Sequence, residues 1–186
     1  IVISIGGLVE IVPLMLSSDA TEPDEGITPY SALRLAGRDV YVSEGCYNCH
    51  SQMIRPFRAE TERYGPFTTS GETVYDRPFQ WGSRRIGPDL HRIGQTNNSV
   101  SWHVRHFNRP TDTSPGSIMP AYPTLLTAKA DFDRIPATMR AHRAIGVPYT
   151  DEDIAGAIES ARAQAAEIAA EVAKQGGPEN LDDTQV

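Results

Sequence analysis

The stretch Gly45-Cys46-Tyr47-Asn48-Cys49-His50 holds both cysteines of the chain, and the rest is read outward from it. A C-x-x-C-H string reads as an attachment site for a c-type haem. On a helix, thiols three residues apart lie on one face, where they can add to the two vinyl groups of one porphyrin edge. The adjoining His50 imidazole can then reach the iron, and proximal histidine ligation is an established haem arrangement. Three other readings of the same residues stay open. A redox C-x-x-C belongs near a βαβ pattern, and no such alternation is present. A disulfide across so short a loop would do little to hold 186 residues. Zinc could be taken by Cys46 and Cys49 with His103 and His106, but the gap of more than fifty residues between the pairs is long for a structural zinc module.

An iron held by His50 needs a second axial decision. Met119 lies 69 residues downstream of His50, in a loop bounded by Pro115, Pro120 and Pro123 that can hold a thioether toward the opposite porphyrin face. His/Met ligation raises the reduction potential, and it suits an electron carrier. Met53 is too near His50 to reach that face, and Met15 and Met139 fall in apolar or helical stretches, where methionine is a packing residue. His91, His103, His106 and His142 have weaker claims on the iron than Met119. In Gly87-Pro88-Asp89-Leu90, the Pro88 carbonyl could accept a hydrogen bond from His50 Nδ1, because metal-bound histidines commonly give their second nitrogen to such a partner.

Upstream, residues 1–16 (IVISIGGLVEIVPLML) are apolar except for Ser4 and Glu10. A spanning helix needs about 20 such residues, so the stretch reads as the C-terminal part of a transmembrane anchor, with a core helix or a signal-peptide remnant as the duller alternative. Residues 17–29 form an acidic linker with Asp19, Glu22, Asp24 and Glu25 and no base, which favours the outer side of the membrane. Tyr30 to Tyr41 has the spacing of a short amphipathic helix running into the cysteines. Residues 51–88 are rich in proline, arginine and aromatic residues. They are too aromatic for disorder, and read as a docking surface or a lid on the haem edge. Arg55, Arg58, Arg63, Arg84 and Arg85 are expected there to meet propionates or acidic groups of a neighbour.

Further on, Gly87 to Leu90 turns into a short helix, and Ser99 can cap a helix bearing Trp102, Val104, His106 and Phe107. Asp131 to Ile145 is moderately helical. Thr150 and Asp153 resemble a capping box that opens a helix over 150–175, ended by Gly176-Gly177-Pro178. Its stripe of Ile154, Ile158, Ala161, Ala165, Ile168 and Val172 suits packing on a partner. Residues 176–186 read as a disordered, truncated tail.

Composition agrees with one modest, all-α domain plus appendages. The chain is 39% hydrophobic, its mean hydropathy is -0.37 and its formal net charge is -7. Residues 131–186 carry eleven acids against five bases, so the remainder is near neutral and nucleic acid is excluded as a partner. Fifteen of the seventeen basic residues are arginine, the side chain suited to planar contacts with carboxylates. No Ser/His/Asp constellation, phosphate loop or dinucleotide fingerprint occurs, so the chain has no catalytic residues of its own.

Taken together, Cys46-x-x-Cys49-His50, Gly87-Pro88-Asp89-Leu90 and the Met119-Pro120 loop resemble class I cytochrome c. More closely, the run from His50 to Gly65 resembles the membrane-anchored monohaem subunit of cbb3-type cytochrome c oxidases. So do Ile5-Gly6-Gly7, Ile11-Val12-Pro13-Leu14, Trp81-Gly82-Ser83, Met119-Pro120-Ala121-Tyr122-Pro123 and Gly146-Val147-Pro148-Tyr149-Thr150. The resemblance covers roughly residues 1–160. It implies an all-α, class I cytochrome c-like haem domain over 30–149 with long irregular loops, preceded by the end of an N-terminal transmembrane helix.

It also implies a bacterial inner-membrane protein with a periplasmic haem domain. One covalently bound haem c would be held by Cys46 and Cys49, with His50 proximal and Met119 distal on the iron. The implied role is electron transfer between a diheme cytochrome c subunit and the haem-copper catalytic subunit that reduces oxygen to water and pumps protons. The monohaem subunit of a nitric oxide reductase is the nearest alternative, and the Arg-aromatic segment after His50 argues against it. The aromatic C-terminal helix that completes a class I cytochrome is not visible in the sequence after Lys174.

Overall fold

Helix α2 (Ala32–Ser43) follows from one apolar face, Ala32, Leu33, Leu35, Ala36 and Val40, set against Arg34, Arg38 and Asp39. Ser31 precedes it in extended conformation, and the Ser31 hydroxyl bonds the Gln164 side chain at 3.0 Å, tying the start of α2 to the last helix. A computed structural model describes residues 1–18, 22–97 and 99–185. Asp19, Ala20 and Thr21 of the acidic linker, Asn98 and Val186 lie outside the described residues.

Before α2 comes α1 (Val2–Met15), and after it α3 (Arg58–Tyr64), α4 (Ile93–Thr96) and α5 (Val100–Asn108). Then follow α6 (Pro110–Thr113), α7 (Ile135–Ala144), α8 (Asp151–Ala155) and α9 (Ala157–Lys174). Among the described residues there is no β-strand, only one bridge between Lys129 and Thr184. Ser99 caps α5 as its position predicts, its hydroxyl accepting from Trp102 N at 3.2 Å.

Thr150 and Asp153 form the reciprocal capping box, Asp153 N to Thr150 Oγ1 at 3.1 Å and Thr150 N to Asp153 Oδ2 at 2.9 Å. The single helix expected over 150–175 is in fact two. Gly156, at φ -86 and ψ 1, leaves the helical region between α8 and α9, in keeping with the weak helix propensity of glycine.

The main core joins α2, α7, α8 and α9. Leu35 and Ala161 are 0% exposed and pack with Ala32, Phe132, Ile135, Met139, Val147, Tyr149, Ile154 and Ala157. The alanines of α9 let its backbone come close to α2, and the Tyr149 hydroxyl donates to the Tyr30 carbonyl at 2.8 Å. The apolar stripe of α8 and α9 therefore covers this chain's own helices rather than a partner. Only its Ile168 stays well exposed.

A second cluster, Val104, Val172 and Leu181, seats α5 on the far end of α9. Leu181 belongs to the tail expected to be disordered, and through residue 185 that tail is docked. Ala130 N donates to Asp183 O at 2.9 Å and Gln185 N to Leu125 O at 3.2 Å. Burial of one leucine, with backbone partners on both sides, outweighs the polar composition that suggested disorder.

Helix α1 stands apart. Its fourteen residues include no buried one, and at about 1.5 Å per residue they span roughly 21 Å, short of the roughly 30 Å hydrocarbon core of a bilayer. Among the described residues no helix is long and apolar enough to cross a membrane.

Leu35→Ala is expected to lower the unfolding free energy by about 2–5 kcal/mol, the usual cost of emptying a fully buried leucine site. Ile168→Ala, at the well-exposed position of the α8–α9 stripe, should cost well under half of that. Urea unfolding followed by far-UV circular dichroism measures both.

Candidate functional site

Helix α2 ends where Gly45 takes the left-handed conformation, φ 71, which glycine adopts without a Cβ penalty. The chain then makes one tight turn, Cys46–Asn48, closed by Cys49 N to Cys46 O at 3.1 Å and His50 N to Cys46 O at 3.0 Å. The core therefore fixes α2, and α2 delivers both thiols and the imidazole within one turn of its end. Cys46 and Cys49 are free and half-buried, so the disulfide reading fails. Burial pushes the Cys46 thiol pKa up.

The His50 ring is held from behind. Its Nδ1 lies 2.8 Å from the Pro88 carbonyl. A carbonyl only accepts, so Nδ1 carries the proton and Nε2 keeps its lone pair. Among the described residues Nε2 has no hydrogen-bond partner. A Cβ on Gly87 would fall 2.7 Å from Nδ1 and 2.8 Å from Nε2 and closer still to Cε1, so only glycine lets the ring lie there. Gly87 N also donates to Cys49 O at 3.0 Å, and Leu90 N to Ser51 O at 2.8 Å.

A buried ionic network fastens this turn to the segment after His50. Asp89 Oδ2 accepts from Ser51 Oγ at 2.6 Å and from Met53 N at 2.9 Å. Arg85 donates to Ser51 Oγ at 2.8 Å and Met53 O at 2.6 Å, and its Nη1 lies 2.7 Å from Glu60 Oε1. Glu60, 9% exposed, also accepts from Arg55 N at 2.8 Å and pairs with the Arg55 guanidinium. Chiefly through Arg85, with Arg55 adding to it, the Glu60 carboxyl is held down to about 2.

The arginines of 51–88, expected to meet propionates or a neighbour, are largely engaged within the chain. Arg55 and Arg85 serve Glu60, Arg58 sits in an exposed pair with Glu62, and Arg63 lies over the Tyr64 ring. Arg84 is exposed and has no partner among the described residues.

Met119 is half-buried, its N donating to Ser117 Oγ at 3.2 Å, and its loop is pinned by Tyr122 N to Phe107 O at 2.7 Å. The Tyr122 phenol is raised by burial first, then by the nearby Cys46, Glu44 and Cys49. That side of the Met119 loop thus neighbours the cysteine turn. His103 and His106 are engaged elsewhere, His103 Nε2 with Asn97 O at 3.0 Å and His106 Nδ1 with Thr113 Oγ1 at 2.6 Å. Among the described residues no group of three or more His, Cys, Asp or Glu is arranged to hold a metal ion. Cys46, Cys49, His103 and His106 are therefore not a zinc tetrad.

A family model for the cytochrome c oxidase mono-haem subunit, FixO, matches residues 1–186. The chain belongs to this family. No curated protein matches it. As a mono-haem subunit it carries one haem, and it works as one subunit of an oxidoreductase complex without being its catalytic centre.

The residues of the site suit such a group. Two free thiols stand beside an imidazole whose Nε2 is open, and Gly87 leaves room for the ring. Composition and spacing assign no role at the site to Ser51 or Glu60, and none to Gly87 and Asp89 beyond the turn around Pro88. Their only signal was the arginine excess, which called for carboxylates, and the Gly-Pro turn.

Gly87→Ala should displace the His50 ring and strongly reduce the yield of haem-containing protein, whereas Gly94→Ala, where a Cβ meets open space, should not. Haem absorbance per mole of purified chain measures this. Because the folded pKa of Glu60 is depressed, its pairing contributes stability above its unfolded value near pH 4.5. That contribution is lost as pH falls toward about 2. Glu60→Gln should flatten this acid limb in urea unfolding, and Arg85→Ala should cost about 3 kcal/mol at neutral pH.

Proposed function

We propose that Cys46 and Cys49 bind a haem c through two thioethers, that His50 and Met119 are its axial ligands, and that the subunit relays electrons within a cbb3-type oxidase. Its neighbours on this reading are a diheme cytochrome c subunit and the haem-copper catalytic subunit that reduces oxygen to water and pumps protons. The observation that carries the proposal is the His50 ring, fixed by Pro88 with Nε2 free beside two unpaired thiols.

When bound, a c-type haem supplies a one-electron iron couple. The chain's own residues do the rest. The Pro88 carbonyl fixes the His50 tautomer and makes the imidazole a stronger donor. Met119 would supply a soft, neutral thioether to the iron, which favours its reduced state and would leave no room for an outside ligand. Arg84, exposed and unpaired among the described residues, is available to a partner's carboxylate.

The same reading makes α1 the end of a single N-terminal anchor in the bacterial inner membrane, with the haem domain in the periplasm. Support comes from α1 itself. Apart from Ser4 and Glu10 it is apolar all round and has no buried residue, and a helix of that kind needs a bilayer or a protein interior around it. The nitric oxide reductase alternative shares this anchor and haem logic. The Arg-aromatic segment 51–88, whose ionic network backs the histidine, favours the oxidase.

Carbon monoxide should bind slowly or not at all to the reduced wild-type protein. Met119→Ala should bind it readily and have a lower potential, while Met119→His should stay six-coordinate at a lower potential. Met53→Leu and Met139→Leu should change neither property. Ready carbon monoxide binding by the wild type, or an unchanged spectrum for Met119→Ala, would exclude Met119 as the axial ligand. Purification from membranes with haem staining of the co-purifying subunits tests the assignment to the oxidase.

A further inference from the structure

We propose that Asp89 is a positioning residue that acts on His50 through the Pro88 carbonyl. The inference rests on the haem reading above. Asp89 directly follows Pro88, and its side chain is 0% exposed. One oxygen, Oδ2, accepts from Ser51 Oγ at 2.6 Å and Met53 N at 2.9 Å. The other accepts from His91 N at 2.9 Å. Arg85 Nη2 stands 3.6 Å from Oδ2 and balances its charge.

These partners explain why the carboxylate matters to a group it does not touch. Ser51 and Met53 lie one and three residues after His50, and His91 closes the turn that starts at Gly87. Asp89 thus joins the two segments on either side of the His50–Pro88 hydrogen bond. Two backbone bonds, Gly87 N to Cys49 O and Leu90 N to Ser51 O, frame the same contact. Without the carboxylate, three donors in the interior lose their acceptor, and buried donors do not stay unpaired. The turn must then shift, and the Pro88 carbonyl with it.

Loss of that acceptor makes the imidazole a weaker donor, which disfavours oxidised iron and raises the reduction potential. Asp89→Asn keeps one acceptor oxygen while removing the charge, so the conservative substitution separates positioning from charge.

The test uses the full, haem-loaded chain. Two readouts are followed in Asp89→Ala, Asp89→Asn and Ile154→Ala: the Nδ1 proton resonance of His50 in the reduced protein, and the midpoint potential. Asp89→Ala should lose or shift the Nδ1 resonance and raise the potential, so that a larger fraction is reduced at the wild-type midpoint. Asp89→Asn should recover most of both. Ile154→Ala, a destabilised core variant on α8 away from the cysteine turn, should move neither.

An Asp89→Asn variant that shifts the potential as far as the alanine variant, with the Nδ1 resonance in place, would overturn the proposal in favour of through-space charge. Wild-type values for both Asp89 variants would also overturn it. Should Asp89→Ala give no folded haem protein, Ser51→Ala is read instead. A smaller shift in the same direction supports the role, and unchanged readouts refute it. A wild-type His50 whose resonances show no iron ligation would sink the haem reading itself, not the role of Asp89.

Discussion

The hydrogen bond from His50 Nδ1 to the Pro88 carbonyl, 2.8 Å long, is the contact on which the site depends. It turns a surface imidazole into a ring of defined tautomer with one open nitrogen. The contact asks much of its surroundings. Residue 87 must be glycine for the ring to fit, and two backbone bonds keep the cysteine turn and the Gly87–Leu90 turn in register. The Asp89–Ser51–Arg85–Glu60–Arg55 network locks the segments that bear them.

The helical core has a simpler task. It holds α2 against α7 and α9 so that the end of α2 always presents Cys46, Cys49 and His50 at one place. Small residues at the crossing, Ala157 and Ala161 of α9, allow the close approach. The rest of the chain hangs on this frame by polar contacts instead of a second large core. That is why residues 51–88, read from the sequence as one long loop, are held in place with only the short helix α3 among them: carboxylate–arginine pairs replace the apolar stripe that a longer helix would need.

Much of this was legible in the sequence. The C-x-x-C-H string, the Ser99 cap and the Thr150/Asp153 capping box are local patterns with local causes, and they stand where the spacing put them. The break at Gly156 was missed because a lone glycine is tolerated in many helices. The docking of residues 181–185 was missed because Leu181 finds its cavity only once α5 and α9 have met. The arginines of 51–88 misled for a related reason. Sequence shows that they need carboxylates, but only the fold shows that Glu60, Glu62 and Asp89 of the same chain supply them. The Gly-Pro turn marked position 87 but not why it must be glycine, since the ring that excludes a side chain lies 37 residues earlier.

On the proposed reading, Cys46 and Cys49 hold the haem through two covalent thioethers, beside the imidazole of the same turn. Intact mass spectrometry of the membrane-purified chain under denaturing, acidic conditions tests it most directly. A single species heavier than the polypeptide by one haem is expected, with loss of that mature species when Cys46 or Cys49 is replaced by serine. A polypeptide at its unmodified mass, with haem released into the solvent, would contradict it.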